Sequence, residues 1–129
     1  MKKIAQTFVI AVALATFGTA ALAAKSLLDG TKYQGVVKLS GSEKGDADSI
    51  TFDNGIFHSE ACDKYGFKPS AYSATKDASG IHFETVSKTD SGTTQVWKGT
   101  VNGDRIEAKL TWSDGKLTKE YAFAGQRAK

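Results

Sequence analysis

Few residues in this chain could do covalent or metal chemistry, so each can be weighed singly. Cys62 is the only cysteine and His58 and His82 are the only histidines. Cys62 lies in Ser59-Glu60-Ala61-Cys62-Asp63-Lys64-Tyr65-Gly66. A serine able to cap, early acids and a closing glycine predict one helical turn there. Backbone N–H groups of that turn and Lys64 favour a thiolate, whereas Glu60 and Asp63 oppose it, and these influences roughly cancel. Cys62 therefore reads as a buried small hydrophobe, a free or dimer-forming thiol, or a reactive thiolate. His82 and Glu84 share one face of a strand, but alternation turns that face outward, and His58 points outward by its own hairpin. No metal site, cofactor or catalytic constellation is predicted, and the chain is not expected to be an enzyme.

A larger set of residues suits binding. Tyr72, Phe83, Trp97, Trp112 and Tyr121 are predicted to face inward, interspersed with Ala74, Gly99 and Ala108. Large side chains opposite small ones either interlock as a filled core or leave room for a small apolar or amphipathic ligand. Lys119 also points inward by alternation from Leu117 and Tyr121. An unpaired ammonium is costly inside, so either a bulge turns Lys119 to solvent or it meets a carboxylate or an acidic ligand.

The elements that must position these residues are short strands. In Gln95 to Trp112, Asn102-Gly103 predicts a type I′ hairpin turn with Val101 facing Asp104. That register pairs Gly99 with Ile106 and Trp97 with Ala108 on an apolar face, and Lys98 with Glu107 on a charged one. Asn54-Gly55 joins Ile50–Asp53 to Ile56–His58 in the same manner, setting Phe52 against Phe57. Lys32 to Leu39 predicts a first strand after a short Lys25 to Asp29 lead, and Ser40 to Asp48 a polar loop. Ala71 to Lys76, Ile81 to Ser87 and Leu117 to Gly125 complete the alternating segments. Pro69 bars a longer helix.

These make about eight strands in sequential hairpins, with no helix long enough for a parallel crossover. The fold class is therefore all-β, an antiparallel up-and-down meander. Such a sheet left flat exposes two edges and an apolar face, so closure into a small barrel is expected, with Gly35 and Gly99 as bending points. A two-sheet sandwich is the alternative, and it normally needs longer Greek-key connections.

The chain ends carry a different message. Lys2 and Lys3, an apolar Phe8 to Phe17 and Ala21-Leu22-Ala23 read as a signal peptide over residues 1–23. Ala24 follows the site rather than a cysteine, so no lipid anchor is expected. Residues 24–129 form one domain of about a hundred residues with a single core. Taking Lys2 and Lys3 from the formal charge of +3 leaves +1, with acids and bases interleaved. That balance excludes a nucleic-acid partner of the basic-patch kind. The expected location is the periplasm, with no stable membrane anchor after cleavage. One cysteine cannot form an internal disulfide, which leaves a disulfide-linked dimer as a partner hypothesis.

Strand count, hairpin order, size and export signal together resemble the calycin superfamily of small barrels, which includes lipocalins and avidins. The lipocalin Gly-x-Trp is absent, since Gly35 is followed by Val36 and Val37, and both tryptophans lie late in the chain. No family ligand residue carries over. The run from Phe52 through Asn54-Gly55, Phe57, Ser59, Cys62, Gly66-Phe67 and Tyr72, then Trp97-Lys98-Gly99 and Gly103-Asp104-Arg105-Ile106, is similar to a group of small exported bacterial proteins of unassigned function. The resulting expectation is a non-catalytic ligand-binding barrel, with ligand contacts from Tyr72, Phe83, Trp97, Trp112, Lys119 and Tyr121. The alternative is an envelope interaction or structural protein acting through its surface or a Cys62-linked dimer.

Overall fold

The computed structural model describes residues 27–129, so the segment read as a signal peptide lies outside the described residues. Eight antiparallel strands follow one another: β1 (Thr31–Leu39), β2 (Gly45–Asp53), β3 (Ile56–Ser59), β4 (Ser70–Asp77), β5 (Gly80–Lys88), β6 (Thr94–Asn102), β7 (Arg105–Ser113) and β8 (Thr118–Arg127). Each pairs with its successor, and β1 pairs with β8 from Tyr33–Arg127 to Leu39–Tyr121, which closes the barrel. The sandwich alternative is thereby set aside. A 3-10 helix, Glu60–Tyr65, interrupts the meander between β3 and β4. No helix among the described residues is long and apolar enough to cross a membrane.

The two Asn-Gly hairpins behave differently. At Asn54-Gly55 both residues take positive φ, +52° and +76°, and Phe52 faces Phe57 as expected of a type I′ turn. At the second, Gly103 alone is positive (φ +62°), the turn residues are Gly103-Asp104, and Asn102 pairs with Arg105. A glycine in the first central position is the type II′ solution. The register therefore moves by two residues from the predicted one: Gly99 faces Ala108, Trp97 faces Leu110, and Lys98 faces Lys109. A shift of two preserves which side chains face inward, because the strand period is two. Lys98 finds its counter-charge on the other side, in Glu84 of β5 at 3.7 Å.

One end of the barrel is packed shut. Phe52 is fully buried and meets the rings of Tyr33, Phe57, Tyr72 and Phe83 at centroid distances of 6.1, 5.5, 4.9 and 5.0 Å, all edge-on. This is the geometry the ring quadrupole favours. Leu28, within the short lead expected before β1, plugs this end and is buried. Its N–H donates to the Tyr72 hydroxyl (3.2 Å), which donates to Asp29 Oδ1 (2.7 Å), and the same oxygen accepts the Gly55 N–H (2.9 Å). Burial and the bond to Asp29 push the Tyr72 phenol well above its ordinary pKa, so it stays a donor.

The opposite end departs from expectation in its loop. The polar run predicted as a loop to Asp48 ends at Lys44, and β2 begins at Gly45, paired with Lys38. Asp46, Asp48, Ile50 and Phe52 thus alternate along one strand, and Asp48 is carried inward.

Candidate functional site

The connections at this second end are Ser40–Lys44, the 3-10 segment, Thr89–Thr93 and Asp114–Leu117, which follow from the strand order. Between them the barrel is hollow, with a cavity of about 680 Å³. Its floor is formed by Trp97, Leu110, Phe67, Cys62, Gln95 and Asp48, all buried. Half-buried Trp112 and Tyr121 form a wall from adjacent strands β7 and β8. The 3-10 helix forms the facing rim. Its turn ends at Gly66 in the left-handed region (φ +87°), whose N–H reaches Asp63 O at 3.0 Å and lets Phe67 fold back under it. Phe67 thereby returns to the core, where it is buried.

Asp48 anchors that rim. Ser59 makes no side-chain cap to the helix; its hydroxyl donates to Asp48 Oδ2 at 2.6 Å, and Asp48 Oδ1 accepts the Ala61 N–H at 3.0 Å. The cap thus comes from another strand, which corrects the reading of Ser59 as the capping group. Burial pushes the Asp48 carboxyl above its ordinary pKa, against the bonds from Ser59 and Ala61 that favour the ionised form. A carboxyl that is harder to ionise folded than unfolded stabilises the fold when protonated. That contribution is full below the unfolded pKa of 3.8 and is lost as pH rises through the folded value. The stability of Asp48→Asn relative to wild type is therefore expected to increase from about pH 4 to pH 7. Thermal melts of both proteins across that range check it, since titrations of groups that do not interact with Asp48 cancel in the difference; a pH-independent difference would refute it.

The remaining predicted site residues separate into two groups. Trp97, Trp112, Lys119 and Tyr121 line the cavity together with Cys62, whereas Tyr72 and Phe83 belong to the packed aromatic cluster beneath it. Lys119 follows the predicted inward alternation without a bulge, directly opposite Trp112. It stands at the mouth, exposed, with Nζ 5.6 Å from the centre of the Trp112 ring, a cation–π distance that resolves the expected cost of an inward ammonium. Cys62 is 8% exposed. Burial pushes its thiol up, opposed by the neighbouring Ser59 and Gln95 side chains, so the protonated thiol dominates at neutral pH.

The histidines are engaged on the surface. His58 Nε2 lies 2.7 Å from Asp63 Oδ1, and His82 contacts Asp77, Ser79 and Thr100 at 3.0 Å each. Bonds from Ser79 and His82 hold the Asp77 carboxyl down at about 2. No cluster of metal-ligating side chains occurs among the described residues. On the outer wall, small Ala122 and Ala124 leave a furrow of about 640 Å³ beside Lys98, Lys109 and Glu107; it lies among surface charges and faces water.

Sequence reasoning missed Asp48 and Gln95. The signal for Asp48 was present, because extending the alternation of Phe52 and Ile50 backwards places it inward. Gln95 lies on the same face as Trp97, and its Oε1 accepts the Trp97 indole N–H at 3.3 Å.

Fold and site together define an eight-stranded antiparallel barrel, plugged at one end and hollow at the other, an architecture compatible with a calycin-like fold. No family model, curated protein or solved structure matches the chain.

Proposed function

We propose that this protein is an exported, non-catalytic barrel that binds a small amphipathic molecule in its open end. The observation that carries the reading is the 680 Å³ cavity with Trp97, Leu110, Trp112 and Tyr121 on its surface. Its size falls in the range of small-molecule sites, roughly 300–1,000 Å³, and its lining combines apolar walls with a few polar groups. Large exposed apolar side chains, Leu39, Tyr65 and Leu117, occur in the strand end and connections on the same side, where they would meet an incoming hydrocarbon. The basic start, apolar core and Ala21-Leu22-Ala23 of the leader support export to the periplasm. A protonated, buried Cys62 supports a binding role over a nucleophilic one, and a Cys62-linked dimer would require that sulfur to leave the cavity wall.

Native mass spectrometry of protein purified from its own periplasm without reductant tests the reading. The expected result is an added mass of a few hundred daltons, lost on denaturation and diminished in Trp112→Ala. A bare monomer mass, together with unchanged tryptophan fluorescence on titration with amphipathic probes, would overturn it. A doubled mass that reductant halves would instead favour a dimer acting through surface contacts.

A further inference from the structure

The cavity has one carboxyl on its buried floor, that of Asp48. Among the charged lining residues, Asp46, Glu60, Asp63, Lys64 and Lys119 stand exposed at the rim, whereas Asp48 is 5% exposed. The rim acids Glu60 and Asp63 have local partners in Lys32 (3.7 Å) and His58 (2.7 Å). Asp48 has none: among the described residues no lysine, arginine or histidine nitrogen lies within 4.0 Å of its carboxylate. Its protein contacts are neutral donors, the Ser59 hydroxyl and the Ala61 N–H, with the Ser49 N–H also favouring the ionised form, and these do not exhaust the roughly four acceptor positions of a carboxylate. A buried carboxylate without a counter-charge is costly, and here it adjoins empty space rather than packed side chains.

We infer that the ligand carries a protonated amine or guanidinium group that pairs with Asp48 on the cavity floor, its apolar part lying along Trp112 and Tyr121. The inference rests on the ligand-binding reading above and adds the sign of the ligand's charge. A charge-assisted N–H···O bond is stronger than the neutral bonds now made to Asp48. The aromatic residues around it complement a cation as well as a hydrocarbon. Lys119 does not compete for this position, because it sits at the rim over Trp112 while Asp48 lies on the floor beside the helix turn.

Three probes of equal chain length separate the charge from the hydrocarbon: decylamine, decanol and decanoate, titrated below their aggregation limits and followed by tryptophan fluorescence and calorimetry. Decylammonium is expected to bind at least roughly tenfold more tightly than decanol at pH 7, with decanoate weakest. Asp48→Asn, which keeps an oxygen acceptor for the Ala61 N–H, is expected to bring the amine-to-alcohol affinity ratio down to about one. A second readout needs no variant. In wild type the amine-to-alcohol ratio should fall as pH is lowered from about 7 to 4, because the carboxylate that pairs with the amine becomes protonated. Equal binding of amine and alcohol, the strongest binding by decanoate, or a ratio indifferent to pH would each overturn the cation while leaving the binding barrel intact. Failure of all three probes to bind would remove both.

Discussion

Replacing Phe52 with alanine is expected to lower the unfolding free energy by about 3–5 kcal/mol, the range for emptying a buried aromatic site. Phe52 is fully buried and is the ring that Tyr33, Phe57, Tyr72 and Phe83 all pack against, so its removal affects side chains from four other strands, β1, β3, β4 and β5. The cavity cannot readily collapse, because those strands are tied into a closed hydrogen-bonded ring. A domain of this size has about 5–15 kcal/mol in total, and the melting temperature should fall on the order of 20 °C. Urea unfolding checks this: a shifted midpoint with an unchanged slope is the expected signature. A loss below about 1 kcal/mol would mean that the aromatic cluster repacks around the gap. The hollow end should be touched less, since Trp112 and Tyr121 make no ring contact with Phe52. Phe52→Ala protein that is still folded at low temperature should therefore retain ligand binding.

The difference between the two ends also explains what could be read from the sequence. At the packed end, alternation and turn chemistry are local, and Phe52 facing Phe57 across Asn54-Gly55 follows from adjacent residues. The Asn102-Gly103 turn shows where local rules become degenerate. The same glycine serves as the second residue of one turn type or the first of another, and only the partner strands decide. Inward and outward faces survived that ambiguity because the two registers differ by an even number. At the hollow end, position along the barrel matters as much as face. Lys119 points inward by alternation, but at the mouth inward means the rim and water. Asp48 lies in a run of Ser, Gly, Glu, Lys and Asp whose polarity reads as loop, and it becomes strand through Gly45 to Asp48 pairing with β1. Leu28 has no periodic neighbours, so nothing nearby in sequence announces that it will plug the other end.

Closure of the barrel makes Gly35 the second position of large effect. Gly35 lies on the inner face of β1, opposite Asp48 on β2 and Gly125 on β8. A Cβ built there would overlap the Ala124 carbonyl oxygen and lie 2.6 Å from Gly125 Cα. Both are backbone atoms, so no side-chain rotation relieves the clash and the β1–β8 seam itself must part. Gly35→Val is expected to cost at least the upper end of the 1–3 kcal/mol typical of overpacking, with Gly35→Ala following in the same direction. Parting the seam exposes two strand edges, which template association between molecules. Amide exchange should accelerate across β1 and β8 while β4 to β6 stay protected, and concentration-dependent aggregation should accompany it. Native protection in β1 and β8 together with wild-type stability would show that the seam has slack. The same seam carries Val37 of β1, paired with Phe123, and Tyr121 of β8, paired with Leu39, and both Val37 and Tyr121 line the cavity. A variant that opens it should thus lose ligand affinity before it loses the aromatic core, the reverse of the order expected for Phe52→Ala.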